Sequence, residues 1–307
     1  MIELSCAADF IKAFENTYFL KVYKIPLTFF NGREVLLLMC RCPGRWIALP
    51  YFSEAYIQTN VDPKEKGHAP FVFVESEDGN IFCTRNIRWE IRDRKVYSHN
   101  VYSDKLNFSI SLGKTPTITE FGRDIRRKIR KARNNGIVVE MGGKNLLRDF
   151  YGVYSKRMYQ LGSPAFGRRL LGRRVKYFDE KIFVARCNGK VIGASSLVSR
   201  DSGSWENHLF ATDVEYNNLY TSYALHYAMI DFVNRQGCGR YYFGRSTRGS
   251  GVHNYKRHWK PQEEALFWSY SHSVSNIRRK KWLSRLWSKM PYGLVKIIGP
   301  FVSRKIY

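Results

Sequence analysis

The chain lacks several features that would reveal its compartment or its chemistry at once. No apolar run in its 307 residues approaches the roughly 20 needed to span a bilayer. The first nine residues lack the basic and then apolar pattern of a secretory signal peptide, so we expect synthesis and residence in a cytoplasm. A Gly-x-Ser-x-Gly nucleophile elbow is also missing, which disfavours a hydrolase with a Ser-His-Asp triad.

Cysteine is too scattered to suggest a metal site or a disulfide framework. The six cysteines lie far apart, mostly in or beside apolar segments. Cys40 and Cys42 are close together, but they have no second pair and no histidine nearby to complete a zinc site. We therefore expect buried free thiols, and no metal is implied.

Acidic residues are scarce relative to basic ones. Lys and Arg number 51 against 26 Asp and Glu, a formal net charge of +25 at pH 7. Such a field favours anionic partners, namely nucleic acid, acidic lipid or phosphate-bearing substrates. One basic cluster lies at 123–133 and another in the tail at 278–307.

Turn signals and apolar periodicity predict a mixed α/β chain (class α+β) with two lobes. Asn-Gly and Asp-Gly dipeptides mark hairpin turns at residues 31–32, 78–79 and 188–189. From residue 137 on, the predicted order is strand, helix, hairpin, strand, helix, strand, loop, strand. Two further predictions are a basic loop over 162–174 and separate strands over 96–100 and 108–112.

The segment 117–133 is predicted to be a helix that ends at Asn134-Asn135-Gly136. Ile125, Ile129 and Ala132 form one narrow apolar stripe, and the remaining positions are almost all Lys or Arg. Like charges four residues apart weaken an isolated helix. A helix that tolerates this repulsion favours a polyanion as its partner, the alternative being a solubilising face.

The stretch 240–260 combines a strand with a loop suited to an anion. The apolar residues 241–243 lead into a loop rich in Gly, Ser and Thr, which then delivers Tyr255, Lys256 and Trp259 at helical spacing. Backbone donors in a glycine-rich loop suit an anion, and Arg245 and Lys256 add positive charge. The alternative is a surface loop with solvated basic residues.

These motifs resemble a known family. Gly244-Arg245-Ser246-Thr247, Gly249-Ser250-Gly251, Tyr255-Lys256 and Trp259 are similar to the C-terminal signature of the FemAB-like acyltransferases, a branch of the GNAT superfamily. The basic segment 123–136 provides a second match. The subgroup encoded with bacterial polysaccharide-export and exosortase systems shows this pattern, and the resemblance spans most of residues 45–302.

The resemblance implies two tandem GNAT-like lobes, each a mixed twisted sheet flanked by helices. Residues 1–120 would form a degenerate N-terminal lobe, 121–274 the acyltransferase lobe, and 275–307 a basic amphipathic tail. The implied activity is transfer of an acyl or aminoacyl group to an amine on a cell-envelope or exopolysaccharide precursor at the inner membrane face. The acceptor would be a lipid-linked, sugar or peptide amine.

The donor implied by the resemblance is acyl-CoA or aminoacyl-tRNA. The usual glycine-rich cradle of acetyl-CoA enzymes is missing, because residues 213–222 contain no glycine, and this leaves the donor undecided. In GNAT enzymes the donor pyrophosphate lies at a helix N-terminus that follows a central strand, here 205–212. The predicted donor- and substrate-binding residues are Arg127, Lys131, Asn207, Asn218, Tyr220, Arg245, Ser246, Thr247, Lys256 and Trp259.

The proton transfers of such a reaction require a base and an acid. Strand alternation places Glu206 and His208 on the same side of the sheet, so they are the base candidates, the alternative being a charged pair at a strand edge. Tyr255 is the candidate for protonating a leaving group. Some GNAT-type enzymes use no side-chain base.

In the tail, Trp282, Leu283, Leu286, Trp287 and Met290 share one helical face, and residues 278–307 contain basic residues but no acid. This interleaving favours a helix that lies on an anionic membrane surface, giving a cytoplasmic, peripheral protein. The alternative is a helix packed on the domain. Two other functions stay open, a tRNA- or nucleic-acid-binding protein and a non-catalytic membrane adaptor that keeps only the fold.

Overall fold

The computed structural model describes residues 1–4, 7–60, 69–113, 118–273 and 281–306. The chain divides into two compact units that interleave along the sequence. The first unit comprises Met1–Asn107, Arg245–His253 and Glu263–Ser275. The second comprises Phe108–Gly244, Asn254–Gln262 and Asn276–Tyr307.

The first unit contains a mixed sheet and one described helix, α1 (Ala8–Tyr18). Its strands are β1 (Ile2–Leu4), β2 (Val22–Thr28), β3 (Glu34–Cys42), β4 (Arg45–Ile47), β5 (Tyr56–Gln58), β6 (Phe73–Glu75), β7 (Ile81–Cys83) and β8 (Trp89–Asp93). Strand β3 pairs antiparallel with β2, β4 and β5, and β4 pairs parallel with β8. The sheet therefore mixes both strand directions.

Strand β3 lies at the centre of the first unit. Residues 35–40 are all buried, so both faces of the strand are covered, which explains an apolar run without alternation. Leu37 and Met39 pack in the core with Ile25, Phe73 and Ile91.

The second unit follows the order predicted from the sequence, with one additional helix before the hairpin. Its elements are α2 (Arg123–Asn134), β10 (Ile137–Gly142), α3 (Leu147–Gln160), α4 (Arg168–Tyr177), β11 (Lys181–Cys187), β12 (Lys190–Asp201), β13 (Ser204–Thr212), α5 (Thr221–Arg235) and β14 (Arg240–Tyr242). Strands β10 to β13 pair antiparallel in sequence order, and β13 pairs parallel with β14. Helix α2 packs on α5 and buries Ile125, Ile129 and Ala132, the predicted stripe.

The structure corrects two local predictions. Residues 168–177 form a helix where a loop was predicted, because the buried face of α4 consists of Leu170, Leu171 and Arg174, and the buried arginine hides its apolar period. Residues 96–99 form no strand, contrary to the prediction of a strand over 96–100, and β9 (Asn100–Ser111) also covers the residues before the predicted strand 108–112, since its polar first half is exposed or half-buried.

The remaining described elements are β15 (Ser246–Thr247), α6 (Gly251–Arg257), β16 (Gln262–Tyr270), α7 (Lys281–Lys289) and α8 (Tyr292–Ile306). Among the helices in the described part of the chain, none is both long and apolar enough to cross a membrane.

Cys40 and Cys238 are buried free thiols, whereas Cys42, Cys83 and Cys187 are half-buried and free. Cys6 lies outside the described residues.

Gly244 follows β14 and provides a test of the local packing. Its φ is +71°, and a Cβ at this position would lie 2.6 Å from the Asn207 carbonyl oxygen. Gly244→Ala should lower the free energy of unfolding by roughly 3 kcal/mol, because left-handed strain and overpacking each cost about 1–2 kcal/mol.

Gly237→Ala is the matched control, measured in the same urea titrations. Gly237 also has a positive φ, +72°, but a Cβ there would meet no atom within 4 Å. This variant should lose only the backbone strain, roughly 1–2 kcal/mol. Equal losses in the two variants would contradict the close approach of Gly244 to Asn207.

Candidate active site

The central strand of the second unit carries a β-bulge at the predicted site. Asn207 of β13 pairs with Leu197 of β12, and Leu209 pairs with Ser196, so His208 is the extra residue. Bulges interrupt the ladder and re-aim the neighbouring main chain, which is why they recur beside active sites. Strand β13 pairs with β14 only over Ser204–Glu206, immediately before this irregular point.

The buried side chain of Asn207 stabilises the bulge. Its Nδ2 donates to the Ser195 hydroxyl at 2.7 Å, to the Ser196 carbonyl at 2.9 Å and to the Leu209 carbonyl at 3.1 Å. The amide carries two N–H groups, so they are shared among these three acceptors, all of which lie beside the bulge. The structure thus gives Asn207, predicted to bind substrate or donor, a role in holding the strand.

Glu206 and His208 each face an ionic partner that the sequence analysis did not single out. The Glu206 Oε2 lies 3.7 Å from Nη1 of Arg200, whose guanidinium lies 3.9 Å from the centre of the Tyr242 ring. His208 Nδ1 lies 3.5 Å from Oε1 of Glu180. Glu180 in turn pairs with the Nε of Arg174.

Burial and charge determine the protonation states of this buried cluster, Arg174, Glu180 and His208. Burial raises the pKa of Glu180, but the positive charge of Arg174 outweighs this effect and helps to lower the pKa to about 2. Burial and the charge of Arg174 lower the pKa of His208 below its usual 6.5. His208 is therefore neutral at pH 7, which is the state that a base requires.

The segment between β13 and α5 is compact and places Asn218 and Tyr220 at the start of the helix. Asp213 caps a short 3-10 turn by accepting from the Glu215 amide at 3.3 Å, and Lys156 donates to it at 3.1 Å. Tyr220 has a φ of +62° and immediately precedes α5, and no described side chain caps the first turn. Helix starts of this kind favour anions.

Lysine–tyrosine pairs surround this helix start. The ammonium of Lys190 lies 4.6 Å from the centre of the Tyr216 ring, that of Lys131 lies 5.7 Å from Tyr220, and that of Lys128 lies 4.9 Å from Tyr223. Lys190 also donates to the Tyr216 hydroxyl at 2.7 Å, and this bond raises the pKa of the lysine. The pairs fix positive charge beside the first turn of α5.

Two predicted binding residues, Arg127 and Lys131, lie on the exposed face of α2, which packs against α5. Arg127 pairs with Asp124 at 2.7 Å within the helix. Lys131 belongs instead to the lysine–tyrosine pairs, through its contact with Tyr220. The structure thus brings Lys131, Asn218 and Tyr220 to one end of α5.

A cavity of about 350 Å³ opens beside Asp213 in the second unit. Its lining includes Arg148, Lys156 and Arg157 of α3 together with Thr212 at the end of β13. The cavity is therefore basic apart from the carboxylates of Asp213 and Asp149. Sequence analysis missed it, because the basic residues of α3 show no motif.

In the first unit, the predicted residues Ser246 and Thr247 form the short strand β15, and Arg245 immediately precedes it. Ser246 pairs with Leu106 of β9 and Thr247 with Lys105, whose ammonium also donates to the Thr247 hydroxyl. Half-buried Arg245 donates to the Phe52 carbonyl at 3.4 Å, and its guanidinium lies 5.7 Å from the Trp268 ring centre.

The predicted residues Tyr255, Lys256 and Trp259 lie in the second unit. Lys256 and Trp259 are buried, and Tyr255 is half-buried. Lys256, 5% exposed, donates to the Gly244 carbonyl at 2.7 Å. Trp259 is buried, and its ring stacks on Tyr223 with the ring centres 5.8 Å apart. Burial raises the pKa of the Tyr255 phenol, so this group stays protonated and can donate.

Comparison with known protein families gives a match within the chain. Residues 120–257 match the family model described as "Acetyltransferase (GNAT) domain". The chain matches no curated protein in sequence.

Solved structures share the fold over most of the chain. FemX matches with a TM-score of 0.57 and 9% identity, over 90% of this chain and 93% of that one. The L-PGS structure from Bacillus licheniformis matches with a TM-score of 0.52 and 11% identity, over 91% and 92%. A structure from Agrobacterium fabrum, described as the C-terminal domain of a lysylphosphatidylglycerol synthetase, matches with a TM-score of 0.54 and 11% identity, over 87% and 88%.

The comparisons confirm the coarse predictions. The fold is the mixed α/β arrangement of GNAT-like proteins, with a mixed sheet flanked by helices, and it resembles FemX over both units. The match of residues 120–257 to an acetyltransferase domain makes the protein an enzyme that transfers acyl groups.

Buried histidines predict how stability depends on pH. Burial, with the charge of Lys256, lowers the pKa of His226 well below 6.5, and the pKa of His208 is lowered as well. A depressed folded-state pKa contributes stability above the unfolded value, and this stability is lost as the pH falls. The free energy of unfolding should therefore drop from pH 7 towards pH 5, by up to about 1.4 kcal/mol per pH unit for each histidine.

Urea unfolding at closely spaced pH values measures this slope. His226→Gln should make the slope shallower, whereas His99→Gln, a change at an exposed histidine, should leave it as in the wild type. Wild-type stability that stays constant over this pH range would contradict the neutral, buried state of both histidines.

Proposed function

We propose that the protein transfers an acyl or aminoacyl group from a phosphate-bearing carrier to an amine on a cell-envelope or exopolysaccharide precursor. The observation that carries the proposal is the set of lysine–tyrosine pairs around the start of α5. A helix start surrounded by fixed positive charge suits the phosphates of such a carrier. The irregular point of β13 lies in the strand that leads to this helix.

The chemistry needs a stabilised oxyanion, a proton acceptor and a held donor. The interrupted ladder around His208 is the place where main-chain N–H groups can face a reacting carbonyl. Neutral His208 can accept the proton of the attacking amine, and Glu206 is the second base candidate. Protonated Tyr255 can donate to the leaving group.

With these groups, the bonds and protons of amide formation balance. The amine nitrogen attacks the carbonyl carbon of the donor, and the bond from that carbon to the carrier sulfur or oxygen breaks. The amine loses one proton to the base, and the departing carrier atom gains one from the acid.

The donor is acyl-CoA or aminoacyl-tRNA, and two features bear on the choice. The segment 213–222 lacks the glycines of the usual acetyl-CoA cradle. Arg123, Arg127, Arg130 and Arg133 on α2 are exposed, and this row of charge suits a longer polyanion such as tRNA. The name lysylphosphatidylglycerol synthetase describes a lysyl group carried by a lipid, and it supports aminoacyl transfer to an envelope acceptor by analogy of fold.

A donor screen tests the transfer directly. Purified protein is incubated with acetyl-CoA or with aminoacyl-tRNA, together with an amino sugar, a nucleotide-linked amino sugar or a peptide amine, and products are measured by mass spectrometry. An acceptor that gains the acyl or aminoacyl mass supports the proposal. Failure to bind either donor, measured by titration calorimetry, would overturn it.

The lysine–tyrosine pairs predict which basic residues of α2 matter. Lys131→Ala should raise the Kd of the donor about tenfold, because a charged hydrogen bond or ion contact to phosphate is worth about 1.5 kcal/mol or more. Arg130→Ala is the matched control, since it removes the neighbouring exposed charge from the same helix. It should change the Kd less than about twofold for a CoA donor.

Equal effects of the two substitutions would show that only the general charge of α2 attracts the donor. The comparison is made at constant ionic strength, because contacts between phosphate and basic side chains weaken with salt.

A further inference from the structure

One face of the tail packs on the rest of the second unit. On α8, Val295 is 4% exposed and Ser303 is fully buried, and Gly299 between them closely approaches Trp287 of α7. Two hydrogen bonds anchor the tail to α3, from the Tyr159 hydroxyl to the Met290 carbonyl at 2.9 Å and between the Ser155 and Tyr292 hydroxyls at 2.8 Å. The alternative of a packed C-terminal helix is thus correct for this face.

The other face of the tail exposes large apolar side chains at helical spacing. On α8 the exposed fractions are 47% for Leu294, 68% for Ile297 and 66% for Phe301, three and four residues apart. On α7 they are 60% for Trp282 and 55% for Leu286, again four residues apart. The predicted single apolar face of α7 is therefore divided, because Trp287 and Met290 are half-buried.

Positive charge accompanies this apolar face. The sequence from 281 to 306 contains six Lys or Arg residues and no Asp or Glu. Arg285, Lys289 and Lys296 are exposed, and Arg285 and Lys289 lie three residues along α7 from Trp282 and Leu286 respectively. Residues 278–280, which add three more basic residues in the sequence, lie outside the described residues.

We propose that this exposed face of α7 and α8 docks on an anionic lipid bilayer. Exposed Trp, Leu, Ile and Phe between Lys and Arg complement a surface that is apolar beneath and negatively charged above. A second copy of the chain would bring two acid-free basic segments together, which like-charge repulsion opposes. A nucleic acid offers the anion but no apolar layer to cover Ile297 and Phe301.

Docking through this face is independent of the transfer reaction, so the two proposals can fail separately. The surface residues are distinct from the groups placed in the candidate active site. Variants of this face should keep wild-type turnover with water-soluble donor and acceptor, and they should lose only the attachment to vesicles.

Vesicle co-sedimentation of the full chain tests the docking. Wild-type protein should bind vesicles that contain phosphatidylglycerol and should bind pure phosphatidylcholine vesicles at least about tenfold more weakly. The double variant Ile297→Gln with Phe301→Gln should weaken binding to phosphatidylglycerol vesicles at least about tenfold, since it removes two apolar anchors.

The matched control is the double variant Phe30→Gln with Phe82→Gln. These side chains are 61% and 62% exposed, close to the values of Ile297 and Phe301, but they lie in the first unit. The control should bind vesicles as the wild type does. Circular dichroism of both double variants verifies that they fold.

Three outcomes would overturn the proposal. The wild type fails to bind phosphatidylglycerol vesicles at low salt. The tail variant and the control bind equally well, which would mean that the overall charge alone drives attachment. Alternatively, light scattering shows that the wild type is an oligomer and the tail variant a monomer, with vesicle binding unchanged, which would make this face an interface between copies.

Discussion

The hydrogen bonds of the Asn207 side-chain amide are the interactions on which the candidate site depends. Its two N–H groups lie within hydrogen-bond distance of three acceptors around the bulge of β13, and these contacts hold the strand where it departs from its regular ladder. The close approach of Gly244 to the same residue fixes the neighbouring chain. The irregular main chain is thus held by specific side-chain and steric contacts and needs no flexibility to form.

The charged groups near the candidate site are of two kinds, which differ in their burial. Arg174 and Glu180 are buried beside half-buried His208, and the two charges must be paired because an isolated charge in that environment is costly. Lys131 and Lys190 near the start of α5 are exposed, and aromatic rings position their ammonium groups, whereas Lys128 is also paired with Asp124. The first kind sets the proton affinity of a possible base, and the second kind keeps charge available for a ligand.

Periodicity predicted the fold well where one face of an element is apolar. The stripe of α2 and the hairpin at Asn188-Gly189 both appear as expected. Helix α4 was missed because its buried face includes Arg174, a residue type that normally marks a surface. The partner of His208 was missed for a related reason, since Glu180 lies before β11, far from β13 in sequence, and only the fold brings the two together.

The path of the chain has a consequence for biosynthesis. Strand β16 pairs with β8, so the sheet of the first unit receives its last strand from residues made some 170 positions later. A ribosome delivers most of the second unit before that strand emerges. Strand β8 therefore stays unpaired along one edge until β16 has been synthesised and completes the sheet. Nascent-chain chaperones are the cellular factors best suited to protect such an edge during elongation.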